Sequence, residues 1–473
     1  MNYETINPAT GEFVDRFATI SDQDLDRVVD LAQAAFIDWR RTNVAERVAI
    51  LERAAGILRA NVDEYAGYLT LEMGKRLNEA RFEVVLCANI LDYYAKRAAA
   101  YLNPTGLPDV PNAEVHVEPL GVLLAIEPWN FPYYQIARVA APQLAVGNVL
   151  LLKHAESVPQ SALAFARLMD AVGLPSGVYT NVFASIEQVG RLIDDPRVRG
   201  VTLTGSERAG AAVAERAGRN MKKTVLELGG SDPLVVLEDA PLDWAIGCAV
   251  VGRMFNTGQC CVGSKRIIVV GKQRSAAFLD GLSNRMSALK AGDPSDAATT
   301  LGPVSSERAL NALLGQLQRA RAGGSRIVTG GRKLDRPGFY LEPTVLAEID
   351  AFNPIYREEL FGPVAAFYTA KDEEDAIRLA NDTPYGLGAS VFTEDLDRGR
   401  AVAARIESGM VFVNQPFRTA AELPFGGIKN SGYGRELSMA GFAEFVNQKL
   451  VTSAPAGTPP LPAPKPASSL PRS

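Results

Sequence analysis

Cysteine and histidine are scarce in this chain of 473 residues, which holds four of the first and two of the second. Cys87, Cys248, Cys260 and Cys261 form no recognisable disulfide framework, which fits a reducing, cytoplasmic setting. His116 and His154 pair with no cysteine at zinc spacing, so a metal site and a Ser-His-Asp hydrolase are both poorly supplied. No run approaches the roughly 18 apolar residues that would span a bilayer. The polar opening MNYETINPATGEFVDR lacks the apolar core of a secretory signal. A basic stripe is missing too. Lys and Arg number 49 against 54 Asp and Glu, a net charge of −5, which argues against nucleic acid or an anionic membrane as partner.

What the chain does hold is the composition of a globular enzyme, 47% hydrophobic and 22% charged, in a length that suits two or three domains. Residues 21–40 read as a helix capped by Ser21, with Val28, Ala32, Ala35, Phe36 and Trp39 on its apolar face. Residues 44–102 are helical again, with breaks expected near Gly56, Gly67 and Gly74. Strands are expected at 114–119 (EVHVEP), 121–126 (GVLLAI), the following VLLLK run, 178–183 and 201–204, with a helix over 160–172. After Cys261 the alternation repeats: strand 265–270, helix 276–289, helix 310–322, strand 326–328. Strands alternating with helices predict parallel sheets covered on both faces, in two successive α/β units. Residues 454–473 are Pro-, Ala- and Ser-rich and are expected to be disordered.

One stretch concentrates the chemistry, KTVLELGGSDPLVVLEDAPLDWAIGCAVVGRMFNTGQCCVGSK at 223–265. A strand ends at Glu227 against Gly229-Gly230, and sites gather at such carboxyl ends of open sheets. A second apolar run at 234–237, a helix over 242–255 and the loop 256–259 lead to Cys260 and Cys261. A strand-end carboxylate and a loop thiol suggest a base and a nucleophile. Taken singly, each has a plainer reading, as a solvated surface Glu and a small buried hydrophobe. GSERAG, Gly205 to Gly210, follows a strand and opens a helix, where backbone N–H groups can hold phosphate. It lacks the Lys-Ser/Thr of a P-loop, and it also reads as an ordinary strand–helix turn. In EPWNFP two prolines brace Asn130, whose amide could meet a developing oxyanion or simply close a turn.

LELGG followed at fitting spacing by NTGQCC resembles the signatures of the aldehyde dehydrogenase superfamily. The spellings KHAE and LELGGSDP are most similar to its bacterial succinate-semialdehyde dehydrogenase branch, and the likeness runs from about Ile6 to Leu450. The resemblance implies an aldehyde dehydrogenase-like α/β fold, two doubly wound α/β domains plus a small β oligomerisation element. It places a nucleotide-binding domain at 1–106 and 120–229, a catalytic domain at 230–443 and the oligomerisation element at 107–119 and 444–453. It implies Cys261 as nucleophile with Cys260 beside it, Glu227 as general base, and Asn130 with the Cys261 N–H as oxyanion hole. Trp129, Lys153, Glu156, Gly205, Ser206, Gly210, Leu228, Glu359 and Phe361 fall at cofactor positions, the last two in ELFGP. NAD is expected, because Glu156 can accept from the ribose hydroxyls and would repel a 2′-phosphate; Lys153 and Ser157 leave NADP open.

The implied reaction oxidises a small-molecule aldehyde to its acid. Relatives that transfer the acyl group to CoA lack the Glu at position 227, so hydrolysis is expected. The substrate suggested by the branch is succinate semialdehyde, its far carboxylate met by Arg138 and Thr419. Arg138 lies on an apolar helix, and a buried Arg needs an anionic partner, which the ligand or an internal carboxylate can supply. Phe255 stands where some of these enzymes carry a second Arg. LPFGGIKNSGYGRE at 423–436 is expected to be structural. A homodimer or homotetramer is implied, without metal, membrane or nucleic acid. A general aldehyde dehydrogenase and a non-catalytic protein on the same fold are the alternative readings.

Overall fold

Two parallel sheets carry the chain, and in the second the reason is written in its strands. In Pro233–Val236 and Arg266–Val270, successive side chains alternate between two apolar layers. Leu234, Val236, Ile267 and Val269 pack under the helices Leu242–Met254 and Lys272–Ser287. Val235, Ile268 and Val270 pack under the helices Glu307–Ala322 and Glu373–Asn381. A strand buried on both faces reads as a continuous hydrophobic run, as these do. The structure is a computed structural model, and it describes residues 2–458. The expected disordered tail lies outside the described residues from 459 on.

This second sheet has seven strands, in the order Arg326–Thr329, Thr344–Ala347, Val364–Ala370, Arg266–Val270, Pro233–Val236, Gly388–Phe392 and Met410–Val413. All its neighbours are parallel except the first pair. The first sheet has six strands, in the order Gly432–Tyr433, Lys223–Glu227, Val198–Thr204, Val122–Glu127, Val149–His154 and Tyr179–Asn181. Only Gly432–Tyr433 runs antiparallel. The stretch LPFGGIKNSGYGRE thus adds an edge strand to the first sheet, although it follows the second in sequence. Register sets the site: Thr204 lies opposite Glu227 and Leu203 opposite Ile126, so Glu127, Thr204 and Glu227 end their strands on one rim. A third sheet, Val446–Thr452, Ala113–Pro119 and Thr105–Gly106, is antiparallel and leaves Leu450 and Val451 exposed.

The N-terminal helices depart from expectation in one respect. Gly56 and Gly67 lie inside the helices Val44–Ala60 and Val62–Met73 and break neither. Both sit in open space, where a missing side chain leaves no gap to close. The breaks fall at Asn61 and at Gly74, whose φ of 71° ends its helix in the left-handed region. Ser21 caps Asp22–Trp39 as expected, by accepting from the Asp24 N–H. The buried face of that helix is Leu25, Val29, Ala32, Phe36 and Trp39, with Val28 and Ala35 at its margin. The hairpin Tyr3–Ile6 with Phe13–Phe17 was not legible in the polar opening.

Candidate active site

The loop that carries Cys261 is built from a helix that stops abruptly. After Leu242–Met254, Asn256 and Thr257 both adopt left-handed backbone, φ 54° and 55°, and Gly258 follows at 75°. A β-branched residue at positive φ is strained, and such strain persists only where the surroundings hold it. Here they do. The Asn256 N–H donates to Glu79 Oε1 at 3.1 Å, and its amide donates to the Asn130 carbonyl at 2.9 Å and the Gln259 carbonyl at 3.1 Å. The Ser305 N–H donates to Gln259 Oε1 at 2.8 Å. Gly258 admits no side chain, because a Cβ there would collide with the Gly362 carbonyl. The turn delivers Cys261, half-buried, to a cavity, while Cys260 is buried beside it.

The two thiols differ electrostatically. The hydrogen bond with Cys261 lowers the Cys260 thiol, against its burial. The same bond, with burial, pushes Cys261 well above the ordinary thiol range, and the charges of Arg138 and Lys265 oppose that rise. Accessibility separates them the other way, since Cys261 lines the cavity and Cys260 faces the core.

Asn130 stands over this loop, 4% exposed. Its amide nitrogen donates to the Gln259 carbonyl at 3.2 Å and its carbonyl oxygen Oδ1 accepts from Gln135 at 3.4 Å. Its backbone carbonyl accepts from Lys75 Nζ at 2.9 Å. Lys75 is ion-paired to Glu83, both side chains fully buried, and Glu83 Oε1 accepts from the Tyr133 and Tyr134 N–H groups at 2.9 and 3.1 Å. His154 braces the same loop from the neighbouring strand: its Nε2 lies 2.9 Å from the Pro132 carbonyl, and burial lowers its pKa to about 4. Neither Lys75 nor Glu83 was singled out in the sequence, where the chain near Gly74 reads only as a helix break.

Glu227 ends its strand at 2% exposure, and neither carboxyl oxygen has a hydrogen-bond partner among the described residues. Burial pushes its pKa well up, and Glu436 adds to the rise while Arg138 opposes it. Glu127, on the adjoining strand end, is raised by burial and by Glu436 in the same way. Three buried carboxyls therefore share one guanidinium, and they cannot all ionise at once.

Arg138 has an internal carboxylate partner, one of the two that the sequence left open. Its Nε lies 2.7 Å from Glu436 Oε2, with side-chain exposures of 0% and 6%. Its guanidinium also donates to Gln135 and to Thr204 Oγ1, and stacks on Tyr134 and Phe425 with centroids at 4.8 and 4.6 Å. Burial disfavours its charge, but Glu436 and Tyr134 outweigh that and hold its pKa above the ordinary value. The charge is already neutralised from within, so a ligand carboxylate is not needed to satisfy it. Glu436 belongs to LPFGGIKNSGYGRE, the stretch whose Gly432–Tyr433 strand pairs with Lys223–Glu227. Thr419 does not line the cavity at Cys261; its hydroxyl lies 2.6 Å from the Tyr134 hydroxyl. Beside it Phe131, Phe255 and Phe417 stack in sequence, with centroids at 5.9 and 5.3 Å.

On the other side of Cys261 opens a cavity of about 230 Å³. Trp129, Gly205, Ser206, Leu228, Glu359 and Phe361, all expected at cofactor positions, line it together with Asn130 and Cys261. Ser206 caps the helix Glu207–Arg219, whose N-terminus thus opens at the rim. Trp129 and Phe361 meet edge to face at 5.7 Å. Glu359 accepts from the Gly230 N–H at 3.2 Å. Gly210 does not line the cavity; it lets the helix approach Leu228, whose methyl would be 2.6 Å from an added Cβ. Lys153 and Glu156 lie outside it too, at the next strand end, ion-paired to each other with Lys153 5.7 Å from the Tyr3 ring. A wider, open groove of about 610 Å³ near Lys272 and Arg378 is lined by neither Cys260 nor Cys261. Nucleotide-shaped chemistry fits the first cavity: a helix N-terminus, a carboxylate for hydroxyls and an aromatic wall converge on one thiol.

Comparison with known proteins agrees with that geometry. A model of the aldehyde dehydrogenase family matches residues 1–451. The chain is similar to a succinate-semialdehyde dehydrogenase [NADP(+)] of Deinococcus radiodurans, 49% identical over 455 residues, 96% of this chain and 95% of that one. It is similar to a probable succinate-semialdehyde dehydrogenase [NADP(+)] of Synechocystis, 45% identical, covering 95% and 99%. A crystal structure of succinic semialdehyde dehydrogenase from Streptococcus pyogenes in complex with NADP+ superposes with a TM-score of 0.94, at 46% identity, covering 95% of this chain and 99% of that one.

Proposed function

This chain belongs to the aldehyde dehydrogenase family, and we propose that it oxidises succinate semialdehyde to succinate with NADP, accepting NAD, through a thioester on Cys261. The observation that carries the mechanism is the convergence of Asn130 and Cys261 on one cavity, with Glu227 buried at the adjoining strand end.

Cys261 attacks the aldehyde carbon as its thiolate. The oxygen of the tetrahedral adduct takes up charge between the Asn130 amide and the Cys261 N–H, a donor of a kind worth about 10²–10³-fold in rate in acyl-transfer sites. The cavity lined by Trp129, Ser206, Glu359 and Phe361 would hold a nicotinamide cofactor, which would supply the hydride acceptor. Trp129 and Phe361 wall that side, Glu359 is placed for ribose hydroxyls, and Ser206 opens the helix N-terminus toward phosphate. With the acyl group on Cys261, Glu227 takes a proton from the attacking water, and the acid leaves. The raised pKa of Glu227 makes it a stronger base once ionised, and Arg138 with Glu436 sets how readily it ionises.

NADP is favoured over NAD because Lys153 already pairs with Glu156. That pairing offsets the repulsion that Glu156 would exert on a 2′-phosphate, and the similar enzymes carry NADP(+) in their names. For the far carboxylate of the substrate, the Tyr134 and Thr419 hydroxyls take the place first given to Arg138, whose stacked charge lies behind them. We place the enzyme in the cytoplasm as a homo-oligomer. No helix among the described residues is long and apolar enough to cross a membrane, and the third sheet exposes apolar residues along Val446–Thr452.

Steady-state kinetics with succinate semialdehyde and butanal, each with NADP and NAD, test the reading. The diacid precursor with NADP is expected to give the highest kcat/KM, Cys261→Ala to abolish turnover, and Cys260→Ala to keep most of it. Equal kcat/KM for the two aldehydes would make this a general aldehyde dehydrogenase. A dead Cys260→Ala beside an active Cys261→Ala would move the nucleophile by one residue.

A further inference from the structure

The lysine four residues after the nucleophile has no part in the chemistry just described, yet its ammonium is the most fully engaged group around it. Lys265 is 1% exposed and carries three N–H donors, and three acceptors meet them. It donates to the Cys260 carbonyl at 2.8 Å and to the Cys261 carbonyl at 2.6 Å, and it lies 3.0 Å from Glu359 Oε1. The Cys260 carbonyl also accepts from the Gly263 N–H at 3.1 Å.

The peptide that joins Cys260 to Cys261 contains both that carbonyl and the Cys261 N–H. A peptide is planar and trans, so its C=O and N–H point in opposite directions. Pinning the Cys260 oxygen to a buried ammonium therefore aims the Cys261 N–H the opposite way, away from Lys265. The second carbonyl contact fixes the next peptide plane, and the two together leave the nucleophile's own backbone no free rotation. The ion pair with Glu359 ties this assembly to the wall of the cofactor cavity.

We propose that Lys265 is the positioning residue of the oxyanion hole, orienting the Cys261 N–H through the Cys260 and Cys261 carbonyls and registering it against Glu359. The proposal rests on the reading of Asn130 and the Cys261 N–H as the hole. It separates two reactions of one thiol. Attack on an aldehyde builds a charged oxygen that needs the hole. Displacement of iodide from iodoacetamide builds none there, and needs only the thiolate.

The experiment compares Lys265→Met with the unaltered chain, both in a Cys260→Ala background, alongside Asn130→Ala. Rapid mixing reads the first-turnover formation of NADPH, and mass spectrometry reads the pH-independent limit of Cys261 alkylation. Lys265→Met is expected to slow first-turnover hydride transfer about 10²–10³-fold, as loss of one oxyanion donor does, with the alkylation limit little changed. Lys265→Gln, which keeps amide donors for the carbonyls, is expected to fall between, and it also serves as the variant better able to fold. Normal hydride transfer in Lys265→Met, with Asn130→Ala impaired, would overturn the role of the lysine alone. Normal hydride transfer in Asn130→Ala would instead overturn the hole itself. Equal losses in alkylation and hydride transfer, or aggregation of both lysine variants, would make Lys265 a general structural residue and end the proposal.

Discussion

Two buried charge clusters lie around Cys261, and they are built on opposite principles. In the first, Lys75 and Glu83 are saturated. The ammonium meets Glu83 and the Asn130 carbonyl and faces the Phe131 ring at 3.8 Å, and Glu83 collects two backbone N–H groups. In the second, Arg138 is ion-paired to Glu436, yet Glu127, Glu227 and Glu436 all keep both carboxyl oxygens without a hydrogen-bond partner among the described residues. Buried polar groups are normally satisfied, so the exceptions ask for a reason. A saturated pair acts as a strut, since any movement costs it a bond. An unsaturated cluster with raised carboxyl pKa values is where protons and water can be exchanged, and such perturbed groups gather at working sites.

The sharpest way to break this contrast is Glu227→Gln. Removing a general base should lower kcat by about 10²–10⁴-fold, while a burst of NADPH persists and the protein melts no lower. The accompanying pH profile has a definite sign. Because Glu227 is raised above its ordinary value of about 4.3, it is neutral below its midpoint and a base above it. Deacylation should therefore fade as pH drops through a midpoint well above that value, and the Gln variant should lack this limb. A burst-free Glu227→Gln enzyme would place the residue before hydride transfer instead.

Glu83→Gln probes the strut. It leaves Lys75 buried without its carboxylate, and breaking a buried pair costs roughly 3–5 kcal/mol. Urea unfolding should report that loss, with the activity of the folded fraction less affected than in Glu227→Gln. Unchanged stability would mean that the two clusters do not differ in kind.

Arg138→Met is expected to be the mildest of the three. It removes the cation paired with Glu436 and opposing the rise at Glu227, so the deacylation midpoint should move up and kcat near neutral pH should fall about tenfold, one pKa unit of lost carboxylate. The fall should be the same for succinate semialdehyde and butanal. A selective loss for the diacid precursor would return Arg138 to the substrate.

The order of strands and helices was open to inspection in the sequence, because hydrophobic period and glycine punctuation act over a few residues. The convergence of Cys261 and Asn130 on one cavity followed from local signatures too. The residues expected at cofactor positions divide by the same logic. Those at strand ends and turns, such as Ser206 and Glu359, were placed at the cavity by local pattern, but Gly210 proved to be a packing glycine because only the folded distance to Leu228 reveals the contact.

What only tertiary structure decided was the partner of each buried charge. Arg138 on an apolar helix announced that it needed an anion, and nothing in its neighbourhood along the chain could name Glu436. Lys265 sat unremarked in GSK because the carbonyls it holds have no sequence signature at all; every residue owns one. Chain spacing encodes backbone conformation, whereas Coulomb and hydrogen-bond energies depend on distance through space. The fold therefore fixed which charges became struts and which were left unsatisfied around the thiol.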